Sequence, residues 1–362
     1  MRFPDMPLPP LSSLDPKRFE TVPIFRLLVE ANRRLAELKG VAASIPNQNI
    51  LINTLTLQEA RDSSAIENIV TTQDDLYRDE EASDAAGTAV KEVLRYRQAL
   101  RTGHQRVKAT GLLTLNTILD IQEQLECNRA GLRKLPGTAL RDGAGQLVYE
   151  PPQDANDVRR LMGGLERFIH DEPPFVADPL VRMALIHHQF ESIHPFYDGN
   201  GRTGRIVNVL YLVKEGLLDI PVLYLSRHIV RTKPDYYRLL QAVREDDAWE
   251  DWVLYMLEAV SVTAAETTGT VQAIKVLLQD TKQRLRSEYR FYSQDLLNNL
   301  FNHPYTRVEF LQRELGIARA TATKYLDQLA RDGVLDKIRV GRNNYYVNRP
   351  LFALLSRESA PE

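Results

Sequence analysis

Apolar residues recur at helical spacing through most of the chain. Phe25, Leu28, Val29, Leu35 and Leu38 form one stripe of a segment that ends at Gly40. After a connector at 46–52, Thr56-Leu57-Gln58-Glu59 has the form of a capping box, a hydroxyl at the N-cap and a carboxylate three residues on. This predicts a helix over about 56–68, with the next element opening at Thr71-Thr72. The same periodicity predicts helices over 82–101, 112–127, 157–170, 180–193 and 206–213, and helical structure over 231–244. Between 131 and 152 the pattern changes. Asp142-Gly143 falls between Thr138-Ala139-Leu140 and Gln146-Leu147-Val148-Tyr149, which reads as a short hairpin closed by Pro151-Pro152.

The segment 251–289 is mostly helical, either one long connector or two helices broken near Gly269, with Trp249 and Trp252 closing the core before it. A different order follows: a helix at 295–302, a break at His303-Pro304-Tyr305-Thr306, and helices at 307–315 and 318–331 about Gly316. Strands at 333–340 and 344–347 flank Gly341-Arg342-Asn343. Helix, helix, hairpin is the order of a winged helix-turn-helix, with Arg319, Thr321, Thr323 and Lys324 opening its recognition helix. The first 23 residues hold six prolines and read as an extended arm.

Composition narrows the picture. At 362 residues there is room for two or three domains with cores of their own. A net charge of −2 argues against a general nucleic-acid-coating or membrane-surface protein. Cys127, the single cysteine, cannot form an internal disulfide, and no apolar run approaches a membrane span, so a soluble cytoplasmic protein is expected. Residues 291–362 carry ten Lys/Arg against eight Asp/Glu, so the last module is barely basic and both a DNA and a protein partner stay open.

The chemistry is concentrated in His194-Pro195-Phe196-Tyr197-Asp198-Gly199-Asn200-Gly201-Arg202-Thr203-Gly204-Arg205. Glycines in a turn that opens a helix present backbone N–H groups to an anion. Arg202 and Arg205 can fork onto phosphate oxygens, Asp198 can hold a divalent metal on the same phosphates, and His194 can take a proton. His187 and His188 lack further ligands at metal spacing and read as helix packing. The window is a polyphosphate cradle with a base at its lip.

It also resembles, position for position, the Fic signature HPFxDGNGRxxR, and Ser63-Ser64-Ala65-Ile66-Glu67-Asn68 resembles the inhibitory motif [S/T]xxxE[G/N] of many Fic proteins. The resemblance implies a mainly α fold: a Fic helical bundle with a β-hairpin flap, then a small α+β winged helix-turn-helix domain. It divides the chain into an N-terminal arm and helices (1–105), a Fic catalytic core (106–260), a helical connector (261–290) and the winged helix (291–356). It implies transfer of AMP from ATP to a Ser, Thr or Tyr hydroxyl of a protein, possession of Mg²⁺ on Asp198, and His194 as the base. Phe196 would fix the loop, while Gly199, Asn200, Gly201, Thr203 and Gly204 with Arg202 and Arg205 would bind the phosphates.

Ser63 and Glu67 would block Arg205, and the same glutamate would allow removal of AMP. Leu147, Val148 and Tyr149 would form the flap that holds the target strand, and Arg231, Tyr236 and Tyr237 the nucleoside pocket. Homodimers are an expectation of the same kind. The alternatives are a Doc-like kinase, transfer of another nucleotide or phosphate group, and a DNA-binding regulator that uses the domain as a nucleotide sensor. Gly201-Arg202 departs from the kinase loop, and an intact His194 and Asp198 exceed what sensing requires.

Overall fold

The computed structural model describes residues 8–78 and 87–356; the expectations for residues 1–7 and 82–86 lie outside the described residues. The proline-rich start is not an extended arm where it is described. Short 3₁₀ turns at Leu11–Ser13 and Pro16–Phe19 bury Leu11 and Phe19, the latter edge-on to Trp249. Helix α1 spans Val22–Ala43. The Thr21 hydroxyl accepts from the Ile24 N–H, and Pro23 lies in the first turn, where its missing N–H leaves nothing unpaired. Leu28, Leu35 and Leu38 are buried, whereas Phe25 and Val29, assigned to the same stripe, face outward.

Helix α2, Asn49–Ile66, corrects the expected start at Thr56. Thr56 bonds back to the Ile52 carbonyl inside the helix. Glu59 is buried, not a reciprocal cap: its carboxylate accepts from the Ser226 N–H and hydroxyl and from the Tyr96 hydroxyl. Helices α3 (Gln73–Arg78), α4 (Thr88–Thr110) and α5 (Leu115–Glu126) follow. The hairpin is smaller than expected, β1 (Leu140–Arg141) paired antiparallel with β2 (Leu147–Tyr149). Then come α6 (Ala155–Ile169), α7 (Pro179–Ile193), α8 (Asn200–Lys214), α9 (Leu225–Arg231) and α10 (Lys233–Asp246).

Helices α7 and α8 are buried almost all round, the mark of a central helix pair. Helices α4 and α5 pack on α8, and α2 packs on α4 and α9. Helix α11, Trp249–Glu288, is one helix that passes through Gly269 without a break. It packs along α1, and Trp252 donates its indole N–H to the Ala184 carbonyl of α7. Packing overrides the glycine's penalty of about 1 kcal/mol. The boundaries expected at 105/106 and 260/261 therefore fall inside α4 and α11.

The C-terminal region holds α12 (Gln294–Asn302), β3 (Tyr305–Thr306), α13 (Val308–Leu315), α14 (Arg319–Arg331), β4 (Asp336–Val340), β5 (Asn343–Val347) and α15 (Arg349–Ser356). The sheet is antiparallel in the order β3-β5-β4, with Asp336 opposite Val347 and Val340 opposite Asn343. Strand β3 and helix α15 had no periodic signal long enough to read. This module grips the N-terminal helices. The Tyr305 hydroxyl bonds Asp74, Gln73 donates to the Leu355 carbonyl at 3.2 Å, and Phe352 meets Tyr77 edge-on. Among the described residues no helix is long and apolar enough to cross a membrane.

Gly103 marks where α4 comes closest to its neighbours. A Cβ there would lie 2.5 Å from Leu210 Cδ1 and 3.0 Å from Ile121 Cδ1. Gly103→Val is expected to lower stability by about 1–3 kcal/mol through overpacking, read as a lower urea midpoint. An unchanged midpoint would mean that α4 and α8 part there at no cost.

Candidate active site

Helix α7 ends where the chemistry begins. His194 takes a left-handed conformation (φ 48°, ψ 60°), which stops the helix and turns the chain into the loop. Arg133 fastens that turn from outside, donating from Nε to the His194 carbonyl at 2.8 Å and from its backbone N–H to the Pro195 carbonyl at 2.9 Å. Phe196 is buried beneath the loop. Asn200 clamps it, accepting from the Phe196 N–H at 2.8 Å and donating to the Phe196 carbonyl at 2.9 Å. The Asn200 amide is thus spent inside the loop and not turned toward an anion. Gly199, at φ 79°, caps α8, so the first-turn N–H groups of α8 open toward the loop. Burial, helped by Arg244 and Arg133, lowers the His194 pKa to about 4, so its ring is neutral at neutral pH. Nδ1 is buried, which leaves Nε2 to meet a target.

The second arginine is already held. Arg205, fully buried, donates from Nε to Ser63 Oγ at 2.7 Å and from Nη2 to the Ser63 carbonyl at 3.0 Å and to Glu67 Oε1 at 2.9 Å. Burial alone would raise the Glu67 pKa, but Arg205 beside it holds the carboxyl below its ordinary value. The net effect on Arg205 is upward: burial opposes its charge, and Glu67 with Tyr236 and Tyr96 together outweigh burial. Lys233 secures the end of α2, donating to the Ile66 carbonyl at 2.6 Å and to Asn68 at 3.2 Å. The pair leaves no room for a side chain at Gly201, where a Cβ would lie 2.4 Å from Glu67 Oε1. Gly204 faces Glu191 at 2.7 Å in the same way. Burial raises the Glu191 pKa to about 7, against the opposing pull of Arg205.

Arg202 is buried as well, with Nη2 on Glu126 Oε1 at 2.7 Å and Nη1 on Glu92 Oε2 at 3.3 Å. Burial raises the Glu126 pKa, opposed by Arg202. Thr203 lies on the inner, buried face of α8. Asp198 is largely exposed, 3.9 Å from Arg202, with Oδ1 accepting from the Gly199 N–H. Among the described residues no three metal-ligating side chains converge. A lone exposed carboxylate suits Mg²⁺, which keeps waters and substrate phosphates as its other ligands and needs no protein cage.

The remaining expected residues separate. Leu147 and Val148 expose their side chains, and Tyr149 is anchored, its hydroxyl donating to the Ser192 carbonyl at 2.9 Å under Arg244. Tyr236 is a core residue, its hydroxyl against His187 Nε2 at 2.9 Å, and Arg231 pairs with Glu266 at 2.7 Å. Tyr237, like Arg231, is exposed, and Glu67 and Arg205 are both close enough to influence its hydroxyl. In the C-terminal module Arg319 is tied to Glu309 at 2.9 Å. Arg133, Glu92 and Glu126 carry no sequence signal of their own. They meet the loop across separations of 61, 110 and 76 residues.

Comparison with known proteins agrees with this geometry. Residues 25–105 match the model "Fic/DOC family N-terminal", 112–212 match "Fic/DOC family", and 277–351 match "Protein adenylyltransferase SoFic-like, C-terminal domain". The chain is 27% identical over 139 residues to "Protein adenylyltransferase Fic" of Aedes aegypti, covering 38% of this chain and 27% of that protein. It is 31% identical over 131 residues to the protein of the same name from Drosophila yakuba, covering 36% and 25%. The chain thus spans about a quarter of the length of these curated relatives. A crystal structure of a Fic family protein from Desulfovibrio desulfuricans G20 superposes with a TM-score of 0.58 at 21% identity, over 90% of this chain and 96% of that one, which establishes the shared fold. With its loop, its central helix pair and both flanking regions matched in order, this chain belongs to the Fic/DOC family.

Proposed function

We propose that this protein transfers AMP from ATP to a hydroxyl of a protein side chain (Ser, Thr or Tyr) and that Glu67 restrains it. The carrying observation is the Ser63–Arg205–Glu67 contact set beside a neutral, partly buried His194. The relatives' printed names support the reaction class.

The target hydroxyl oxygen attacks the α-phosphorus, the bond from that phosphorus to the bridging oxygen breaks, and pyrophosphate leaves. His194 accepts the hydroxyl proton. The N–H groups at the start of α8 face the charge that grows on the α-phosphate oxygens. Asp198 would hold Mg²⁺, which when bound neutralises phosphate charge. Productive seating of the γ-phosphate requires Arg205, so ATP and Glu67 compete for one guanidinium. The flap's exposed Leu147 and Val148 offer the target segment a strand to lie against.

Incubation with ATP labelled at the α-phosphate is expected to label protein, and γ-label is not; γ-labelling would replace this reading with a kinase. His194→Ala removes the label. Glu67→Gly is expected to raise transfer about 5- to 150-fold, the range of a coupling of ~1–3 kcal/mol. A flat response would reduce the Glu67 contact to a structural one. Because His194 must be neutral to act, transfer should hold steady as pH falls from 8 and drop only as pH approaches about 4. A midpoint near the ordinary histidine value would show the ring to be hydrated in the working state.

A further inference from the structure

The loop that receives the phosphates is shaped from outside the motif, by the last turn of α5. Gln122 and Glu126 are four residues apart and share a face of that helix. Gln122 donates to the Asp198 carbonyl at 3.4 Å. Glu126 holds the Arg202 guanidinium at 2.7 Å. The same carboxylate packs against Gly199 so closely that a Cβ there would lie 2.6 Å from Oε1 and 3.1 Å from Cγ. One helix face therefore meets the loop at three successive places: the backbone of the expected metal-binding aspartate, the αL glycine that caps α8, and the first arginine of α8. Glu92, by contrast, reaches only the outer edge of Arg202, at 3.3 Å.

We infer that Glu126 is a positioning residue for the anion hole, supported by Gln122. By bridging Gly199 and Arg202 it fixes the angle at which the first turn of α8 presents its N–H groups to the transferring phosphate. The inference rests on the AMP-transfer reading of the site. It accounts for a partly buried acid beside a phosphate-binding turn, which would otherwise repel the substrate. A carboxylate already neutralised by Arg202 at 2.7 Å adds little net charge while supplying a rigid support.

The test uses the full chain in the Glu67→Gly background, comparing added Glu126→Gln, Gln122→Ala and Glu92→Gln. Positioning errors near 1 Å cost up to ~100-fold in rate, so Glu126→Gln is expected to lower kcat about tenfold or more and to weaken ATP binding about fivefold. Gln122→Ala should lower kcat by a smaller factor, and Glu92→Gln by less than Glu126→Gln, because the atoms nearest Gly199 are those of Glu126. Rates within twofold of the parent for Glu126→Gln, with ATP affinity unchanged, overturn the inference. So does a rise in transfer, which would make Glu126 a brake, or an equal loss in Glu92→Gln, which would make neutralising Arg202 its whole role. A loss that vanishes when rates are scaled to the folded fraction overturns it too. If the Glu67→Gly parent transfers no α-label, the AMP-transfer reading fails by itself, and calorimetric ATP binding to the same variants still decides the positioning role.

Discussion

A guanidinium with almost no access to water must have its charge and its N–H groups answered by protein, and Arg205 is held by Ser63 of α2 and by Glu67 at its end. Removing Glu67 leaves that charge less well answered, at a cost reduced by water's access to the partly exposed carboxylate. The resting fold is thus stabilised by atoms that a bound nucleotide would need. The rest of the site arranges itself around that contact. Gly201 is glycine because Glu67 lies over it, and Lys233 fixes the end of α2 so that the glutamate reaches. Under the proposed function, stability and activity would draw on one interaction, so that a gain in one is a loss in the other.

How much of this could be read in the residues follows from where each contact comes from. The loop was legible because its base, carboxylate, glycines and arginines lie within twelve consecutive positions, and Glu67 because it falls on one helix face with Ser63. The paired central helices were legible from their unbroken apolar runs. Glu126, Glu92 and Arg133 were not, because side chains 61 to 110 residues away leave no periodicity in common with the loop. The start of α2 was misplaced for a related reason. Thr56 and Glu59 have capping-box spacing, yet burial against Ser226 and Tyr96 gives the glutamate another partner. Spacing reports which residues share a face, not what that face meets.

Two features of the site are opposite answers to one electrostatic problem. His194 is pushed toward neutrality by burial and by two nearby arginines, which suits a base. Glu191, three residues earlier on α7, is pushed toward its protonated form by the same burial, which reduces the negative charge beside Arg205. A single low-dielectric pocket thereby disfavours charge on both an acid and a base, while Arg205 and Glu67 keep theirs by facing each other.

Helix α11 has a mechanical meaning beyond its packing. Its 40 residues make a shaft of about 60 Å at 1.5 Å per residue. One end is locked under α7 by Trp252, and the other is tied to the end of α14 through Arg284 and Tyr289 on Asp332. A flexible tether would let the C-terminal module sweep a volume, and capture would then depend on linker length. A shaft instead works as a ruler. A molecule held by that module would stand at a set reach and heading from His194, and under the proposed function distance would become a criterion of selection alongside the chemistry of the hydroxyl.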